Sequence, residues 1–228
     1  MNGLKQIVIF FIVQLFFIEN SCAQINLVKN PSFEDTISCP TSFGTFNPYV
    51  QNWFNPSSST SATPDYYNSC ATVSSNCSVP NNISFQNAKD GNAYAGFFTY
   101  QSTADAREYV AGELTDSLAK GKKYCAQFYV SLMNQSQNAI NNIGMYFSNA
   151  PISSSTFLNL PYSPQILNSP PVFLSDTAGW MLVSNTFIAN GGEKYITIGN
   201  FSTDSNTDTI RVLNFGGNIS YYYVDAVS

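Results

Sequence analysis

Along most of the chain, short apolar or alternating segments rich in Tyr, Phe, Val and Ile are separated by Asn, Gly, Ser and Pro. This pattern predicts β-strands joined by turns and loops. The clearest predicted strands cover residues 93–98, 125–132, 143–147, 181–188, 195–201 and 221–227. Period-two alternation would bury one face of the segment 124–132, namely Tyr124, Ala126, Phe128, Val130 and Leu132. The chain is therefore expected to be all-β.

One segment fits two predictions. Residues 107–113 predict a strand that leads into the turn at 121–123, but residues 104–120 would also fit a short amphipathic helix. Long polar segments lie between the predicted strands, at residues 55–63, 69–82, 153–171 and 203–217. Loops of this length inside one domain are usually functional or are tied down by other contacts.

The N-terminus has the pattern of a secretory signal peptide. An apolar run at 7–17 is followed by polar residues and then by Ser-Cys-Ala at 21–23. Cleavage after this triplet would give a signal peptide over 1–23 and a domain over 24–228, secreted or on the outer cell surface. A lipoprotein acylated at Cys22 is the alternative, which the polar residues just upstream disfavour. No later apolar run is long enough to cross a membrane.

Composition restricts the function. The formal charge is −5 and only 10% of residues are charged, which argues against nucleic acid as a partner. A surface of amides and hydroxyls suits neutral partners, of which sugars are the obvious class. The chain has no histidine, which excludes Ser-His-Asp and Cys-His catalysis and histidine-bound zinc. We therefore expect no enzyme.

Four cysteines remain after the predicted cleavage, Cys39, Cys70, Cys77 and Cys125. An even number in an exported chain favours two disulfides rather than a zinc site. Three pairings are open, and of these we favour Cys39 with Cys70 and Cys77 with Cys125.

Three segments resemble carbohydrate-binding modules with the galactose-binding-like jelly roll. NLVKNPSFED at 26–35 resembles their first strand, YYVDAV at 222–227 their last, and GWMLVSNTF at 179–187 a segment of their second half. The resemblance spans nearly the whole mature chain and implies a β-sandwich jelly roll that binds polysaccharide or a cell-envelope glycan.

A closer resemblance is to secreted or surface proteins of gliding-type Gram-negative bacteria, where such a module often precedes an OmpA-type or sorting domain. It is carried by TPDYYN at 63–68, VPNN at 79–82, GNAYAG at 91–96, REY at 107–109 and GGEKYITIGNF at 191–201. It implies a downstream anchoring domain in a longer protein, but no defined activity.

The jelly-roll resemblance also implies a structural calcium where the chain ends meet, held by Glu34 and Asp225. Calcium takes oxygen ligands, so two carboxylates with loop carbonyls would suffice. The family pattern has paired acids at its end, whereas Ala226 follows Asp225 here. The alternative is that both carboxylates cap nearby backbone groups or pair with basic side chains.

Sugar binding needs aromatic faces for the rings and polar groups for the hydroxyls. The candidates in or beside polar loops are Tyr66, Tyr67 and Tyr100, with Asp65, Asn68, Asn81, Asn82 and Gln101 as hydrogen-bonding partners. Burial is the competing explanation for every aromatic residue. We expect Trp53 and Trp180 in the core.

These observations favour a non-catalytic extracellular recognition module for carbohydrate. The alternative is a structural or adhesion domain of the cell envelope that binds no glycan. A carboxylate hydrolase ranks third, because the densest charged patch is expected to be solvated surface. That patch contains Arg107, Glu108, Glu113 and Asp116.

Overall fold

The computed structural model describes residues 25–72, 76–81, 83–102, 105–168, 170–214 and 217–228. The predicted signal peptide over 1–23 and the sugar-binding candidate Asn82 lie outside these ranges. Among the described residues we find no helical segment with the length and apolarity that a membrane span requires.

The described part of the chain is built from twelve strands and one 3₁₀ turn. In chain order the strands are β1 (Trp53–Phe54), β2 (Asp65–Asn68), β3 (Ala93–Gln101), β4 (Val110–Glu113), β5 (Lys123–Leu132), β6 (Asn138–Ile140), β7 (Ile143–Ser148), β8 (Ile166–Leu167), β9 (Met181–Ile188), β10 (Tyr195–Asn200), β11 (Thr209–Arg211) and β12 (Ile219–Asp225). The 3₁₀ turn is Asp204–Asn206.

The strands form two five-stranded sheets that pack face to face. The first sheet has the order β1-β4-β10-β7-β8 and the second the order β2-β3-β12-β5-β9, while β11 and β6 form a small separate pair. The named strand pairs are antiparallel. The predicted all-β sandwich with jelly-roll character is confirmed.

Alternation of side chains explains how the second sheet meets the core. In β5 the residues Ala126, Phe128, Val130 and Leu132 are buried between the sheets, as the period-two pattern predicted. In β12, Tyr222 and Val224 point into the same core. Their neighbours Tyr221 and Tyr223 therefore lie on the outer face of the second sheet, where they are also buried.

The first and last described segments of the chain lie side by side. The amide of Val227 donates to the carbonyl of Pro31 at 2.9 Å, and the side-chain amide of Asn26 donates to the carbonyl of Val227 at 2.9 Å. Residues 26–34 form only an isolated bridge between Val28 and Leu114, not a full strand. The first part of the resemblance therefore predicted the position of this segment but not its conformation.

The structure resolves the choice between strand and helix before residue 120 and shows what the long polar segments contain. Residues 105–120 contain β4 and no helix, so the helical alternative for this stretch is wrong over its described part. The long segment 153–171 contains β8, and the described part of 203–217 contains the 3₁₀ turn and β11.

The expected solvation of the charged patch is wrong for two of its residues. Arg107 and Glu108 are both buried. Arg107 forms an ion pair with Asp204 at 2.8 Å and donates to the carbonyl of Ser202 at 2.9 Å. Glu113 is part-exposed and pairs with Lys29 at 2.8 Å. An ionic group can be buried when most of its polar atoms find partners, as those of Arg107 do apart from its Nε, and charge counting along the sequence does not show whether they will.

One of the two favoured disulfides is confirmed. Cys39 and Cys70 are joined and close a loop with a sequence separation of 31. The second favoured pairing is wrong, because no bond joins Cys77 to Cys125. Cys77 is buried against the outer face of the second sheet, whereas Cys125 is exposed on β5. Spacing alone could not reveal that the two lie in such different places.

Candidate ligand pocket on the second sheet

A pocket of about 280 Å³ opens on the outer face of the second sheet. We call it the tyrosine pocket. Its floor is made by four buried residues, Asp65 and Tyr67 from β2 and Tyr221 and Tyr223 from β12. Its walls and rim are made by residues that are half-buried or exposed, namely Phe43, Thr63, Ile83, Phe98, Met133 and Gln135.

The floor belongs to a cluster of packed tyrosine rings. Tyr67 stacks on Tyr94 with ring centroids 4.9 Å apart, and Tyr223 packs edge-on against both. Asn81 donates from its side-chain amide to the hydroxyls of Tyr94 at 2.9 Å and Tyr223 at 3.2 Å. Because each of these hydroxyls has a partner, the polar ends of the rings can be buried without a large penalty.

Asp65 is the ionisable group at the floor. One carboxylate oxygen accepts the amide of Gly44 at 2.5 Å, and the other accepts the hydroxyl of Tyr221, which also contacts the hydroxyl of Tyr67 at 3.1 Å. Burial raises the pKa of Asp65 to about 6, although both hydrogen bonds act in the opposite direction. Each carboxylate oxygen has two lone pairs, so Asp65 can still accept hydrogen bonds from a ligand.

A second buried carboxylate supports the rim. Glu108 accepts the amide of Thr63 at 2.6 Å and the amide of Phe98 at 2.9 Å. Burial raises the pKa of Glu108 to about 7, and the nearby negative charge of Asp65 adds to the effect. Glu108 therefore holds the segment before β2 against β3, which fixes Thr63 and Phe98 at the pocket.

The structure separates the four candidates for sugar binding. Asp65 and Tyr67 line the tyrosine pocket, as floor rather than as an exposed platform. Tyr66 points into the core and donates its hydroxyl to the carbonyl of Phe33 at 2.8 Å. Tyr100 is half-buried, packs against the core and lies 5.7 Å from the guanidinium of Arg107. An exposed stacking role for the Tyr66-Tyr67 pair is thus wrong, because β2 pairs with β3 and both of its faces are covered.

The expected hydrogen-bonding partners also serve the fold. Asn68 donates to the hydroxyl of Tyr66 at 2.8 Å, and Asn81 binds the tyrosine cluster. Gln101 is exposed and does not line the pocket. Trp53 is buried in the core as predicted, whereas Trp180 is only half-buried and packs on the outer tyrosine cluster.

Eight of the pocket residues were not identified from the sequence as binding candidates. They lie on several segments of the chain and are Phe43, Thr63, Ile83, Phe98, Met133, Gln135, Tyr221 and Tyr223. One signal was available, since alternation along Tyr221, Tyr222 and Tyr223 puts two tyrosines on the outer face of a strand. The register that brings them beside Asp65 is set by pairing across β3, which local patterns do not encode.

Glu34 and Asp225 both bind the loop before β3. Glu34 accepts the amides of Asn92 at 2.7 Å and Ala93 at 2.8 Å, and Asp225 accepts those of Lys89 at 2.7 Å and Asp90 at 3.0 Å. No group of three or more acidic, cysteine or histidine residues converges within the described residues. The donors facing these carboxylates are N–H groups, which favours the capping alternative; calcium binding stays a prediction.

No protein-family model and no curated protein matches the chain. Among solved structures, a cyclase from Fischerella sp. TAU is 12% identical with a TM-score of 0.52, covering 89% of this chain and 94% of that one. The xylan-binding CBM22-1 domain of Xyn10C from Paenibacillus barcinonensis is 13% identical with a TM-score of 0.43, covering 86% and 88%. The K1 cleaved adhesin domain of Lys-gingipain from Porphyromonas gingivalis W83 is 16% identical with a TM-score of 0.40, covering 86% and 93%. At these identities the likeness shows the fold alone.

Proposed function

We propose that this chain is a non-catalytic extracellular recognition module that binds a glycan, with one sugar residue seated in the tyrosine pocket. The observation that carries the proposal is the pocket itself, about 280 Å³ with mostly apolar walls and one carboxylate at its floor. Ligand sites typically combine an apolar, aromatic lining with a few fixed polar groups.

The chemistry of the lining matches a sugar ring. A pyranose has apolar C–H faces, which would lie against Phe43, Phe98 and Met133 at the walls. Its hydroxyls would donate to Asp65 and exchange hydrogen bonds with Thr63 and Gln135. The floor is pre-organised, because Asp65 is already held by Gly44 and Tyr221. Binding a ligand therefore costs little additional loss of side-chain freedom.

Export is part of the proposal. The signal-peptide pattern in the sequence supports it, and the disulfide between Cys39 and Cys70 is of the kind that persists in oxidising compartments. The sequence resemblance to surface proteins of gliding-type Gram-negative bacteria supports an envelope glycan or an external polysaccharide as the partner.

Affinity electrophoresis of the purified domain through gels containing single polysaccharides tests the proposal. We expect at least one neutral polysaccharide to retard the wild-type chain. Asp65→Asn and Phe43→Ala should each weaken that retardation about tenfold, because one removes a charged acceptor and the other an exposed ring. Phe85→Ala is the matched control, since Phe85 is 78% exposed but does not line the pocket.

Absence of retardation by every polysaccharide would discard glycan recognition. The structural or adhesion alternative would then be preferred. Retardation that is equal in the wild type, Asp65→Asn and Phe43→Ala would leave glycan binding standing but remove it from the tyrosine pocket.

A further inference from the structure

A second pocket, of about 400 Å³, lies at the edge of the first sheet. We call it the amide pocket. It is formed where β10 ends, where β7 and β8 pair, and where the connection between β7 and β8 crosses the outer face of the first sheet. Its lining is Asn142, Asn159, Tyr162, Ser163, Pro164, Leu167, Phe201, Ser202, Thr203 and Asn206. It shares no residue with the tyrosine pocket.

The connection that forms this pocket is fixed by its own small apolar cluster. Tyr109, Ile152, Leu160 and Phe201 are buried together on the outer face of the first sheet, away from the main core. The hydroxyl of Tyr109 accepts the amide of Leu160 at 2.9 Å and donates to the carbonyl of Asn200 at 2.6 Å. The pocket therefore stands on a packed base rather than on a free loop.

Asn142 lines this pocket and carries an acceptor without a partner. Its side-chain nitrogen donates to the hydroxyl of Ser202 at 3.3 Å and to the carbonyl of Asn206 at 3.2 Å, which fixes the orientation of the amide. Its side-chain oxygen is buried and finds no hydrogen-bond partner among the described residues. A buried acceptor without a partner is costly, so a ligand hydroxyl that reached this oxygen would be favoured.

An aromatic ring is presented beside these amides. Tyr162 is 39% exposed and stacks on Tyr146, with ring centroids 4.8 Å apart and planes inclined by 18°. Tyr146 in turn packs against Phe201 at 6.2 Å. The stack holds Tyr162 in one orientation, so that its exposed side can lie against the apolar face of a ring-shaped ligand.

No charged residue lines the amide pocket. Fixed amides and hydroxyls with one supported aromatic ring are complementary to a neutral ligand that carries many hydroxyls on a ring. We infer that the amide pocket is a second, independent binding site for a neutral sugar residue. A domain with both sites would cross-link glycan chains or bind one long chain at two points. The inference goes beyond the proposed function and does not rest on the tyrosine pocket.

Isothermal titration of the full domain with xylohexaose, cellohexaose, mannohexaose and laminarihexaose tests this site. We expect one of these hexaoses to bind Tyr162→Ala, at one site, at least about tenfold more weakly than it binds the wild type. Tyr162→Phe keeps the ring and should bind that hexaose like the wild type. Phe43→Ala is the matched variant in the tyrosine pocket, since it also removes an exposed ring. Melting temperatures of all variants check that each is folded.

The two variants distinguish failure of this inference from failure of the proposed function. If Phe43→Ala weakens binding and Tyr162→Ala does not, the amide pocket is overturned and the tyrosine pocket stands. The reverse result supports the amide pocket and removes the tyrosine pocket. Binding at two sites, of which Phe43→Ala removes one and Tyr162→Ala the other, would support both proposals. No binding of any hexaose would overturn the amide pocket, while the proposed function would still be decided by the polysaccharide gels.

Discussion

At the scale of single residues, the tyrosine cluster depends on a position without a side chain. Gly96 lies on β3 between β2 and β12, and a Cβ added there would come within 2.8 Å of ring carbons of Tyr221 and Tyr67. Those rings cannot withdraw without breaking the contact between Tyr221 and Asp65. The packing of the two tyrosine rings at the floor of the pocket therefore requires a glycine at position 96.

Gly96→Ala should destabilise the domain by about 1–3 kcal/mol, the usual cost of overpacking a buried site. Urea denaturation of the wild type and the variant measures this. Gly217→Ala is the control, because an added Cβ there meets nothing nearer than 3.7 Å. Equal stability of Gly96→Ala and Gly217→Ala would contradict the packing described for the cluster.

The buried carboxylate at the floor predicts an unusual pH dependence. The pKa of Asp65 is raised from 3.8 to about 6 in the folded state, so between these values the folded chain binds more protons than the unfolded chain. The contribution of Asp65 to the free energy of unfolding is therefore fully present below about pH 4 and is lost as the pH rises through 6. Glu108, whose pKa is raised to about 7, acts in the same direction.

We expect the free energy of unfolding of the wild type to fall between pH 4 and pH 7. In Asp65→Asn the fall should be smaller by about 2–3 kcal/mol, because one pKa unit corresponds to about 1.4 kcal/mol. Urea denaturation at several pH values gives the two slopes. Parallel slopes for the wild type and Asp65→Asn would show that Asp65 does not titrate as described.

At the scale of elements, the sequence predicted most strands but not what they bring together. Strands with clear alternation, such as β5 and β9, were placed to within about two residues. β2 was not among the predicted strands, and its tyrosines were expected in or beside a polar loop. Its pairing with β3 buried it instead, and no local pattern records such long-range pairing.

The disulfide links an exposed loop to the pocket. The loop closed by Cys39 and Cys70 contains Phe43, which lines the pocket, and Gly44, whose amide donates to Asp65. A closed loop of this length stabilises a fold by about 3–4 kcal/mol, in the chain-entropy account. The disulfide therefore restrains residues of the pocket and also stabilises the fold.

Replacing Cys39 and Cys70 together by alanine should lower the free energy of unfolding by about 3–4 kcal/mol and weaken any ligand that the tyrosine pocket binds. Chemical denaturation and affinity electrophoresis measure the two effects. Cys125→Ser, at an exposed position, is the control and should change stability by less than about 0.5 kcal/mol. Unchanged stability of the double variant would mean that the loop is held by other contacts.

At the scale of the whole molecule, segments far apart in the sequence meet at the loop before β3. Glu34 and Asp225 bind the same loop from opposite ends of the chain, each through backbone amides. This juxtaposition was predicted from the jelly-roll resemblance, whereas the amide donors could only be seen in the folded chain.

The amide contacts predict that a chelator leaves the melting temperature unchanged, while Glu34→Ala lowers it because two backbone amides, one of them that of the buried Ala93, lose their acceptor. Thermal melts with EDTA and with added calcium decide between the amide caps and a bound ion. A fall of several degrees on chelation, restored by calcium, would establish the metal site instead.

The central claim is that the outer face of the second sheet carries a glycan-binding pocket with Asp65 at its floor. Titration of the isotope-labelled domain with the glycan that retards it, followed by amide chemical shifts in NMR, tests this most directly. We predict that the largest shifts fall on Phe43, Gly44, Thr63, Phe98 and Gln135. Amides of these residues that stay unmoved at a saturating concentration of the glycan would contradict the account.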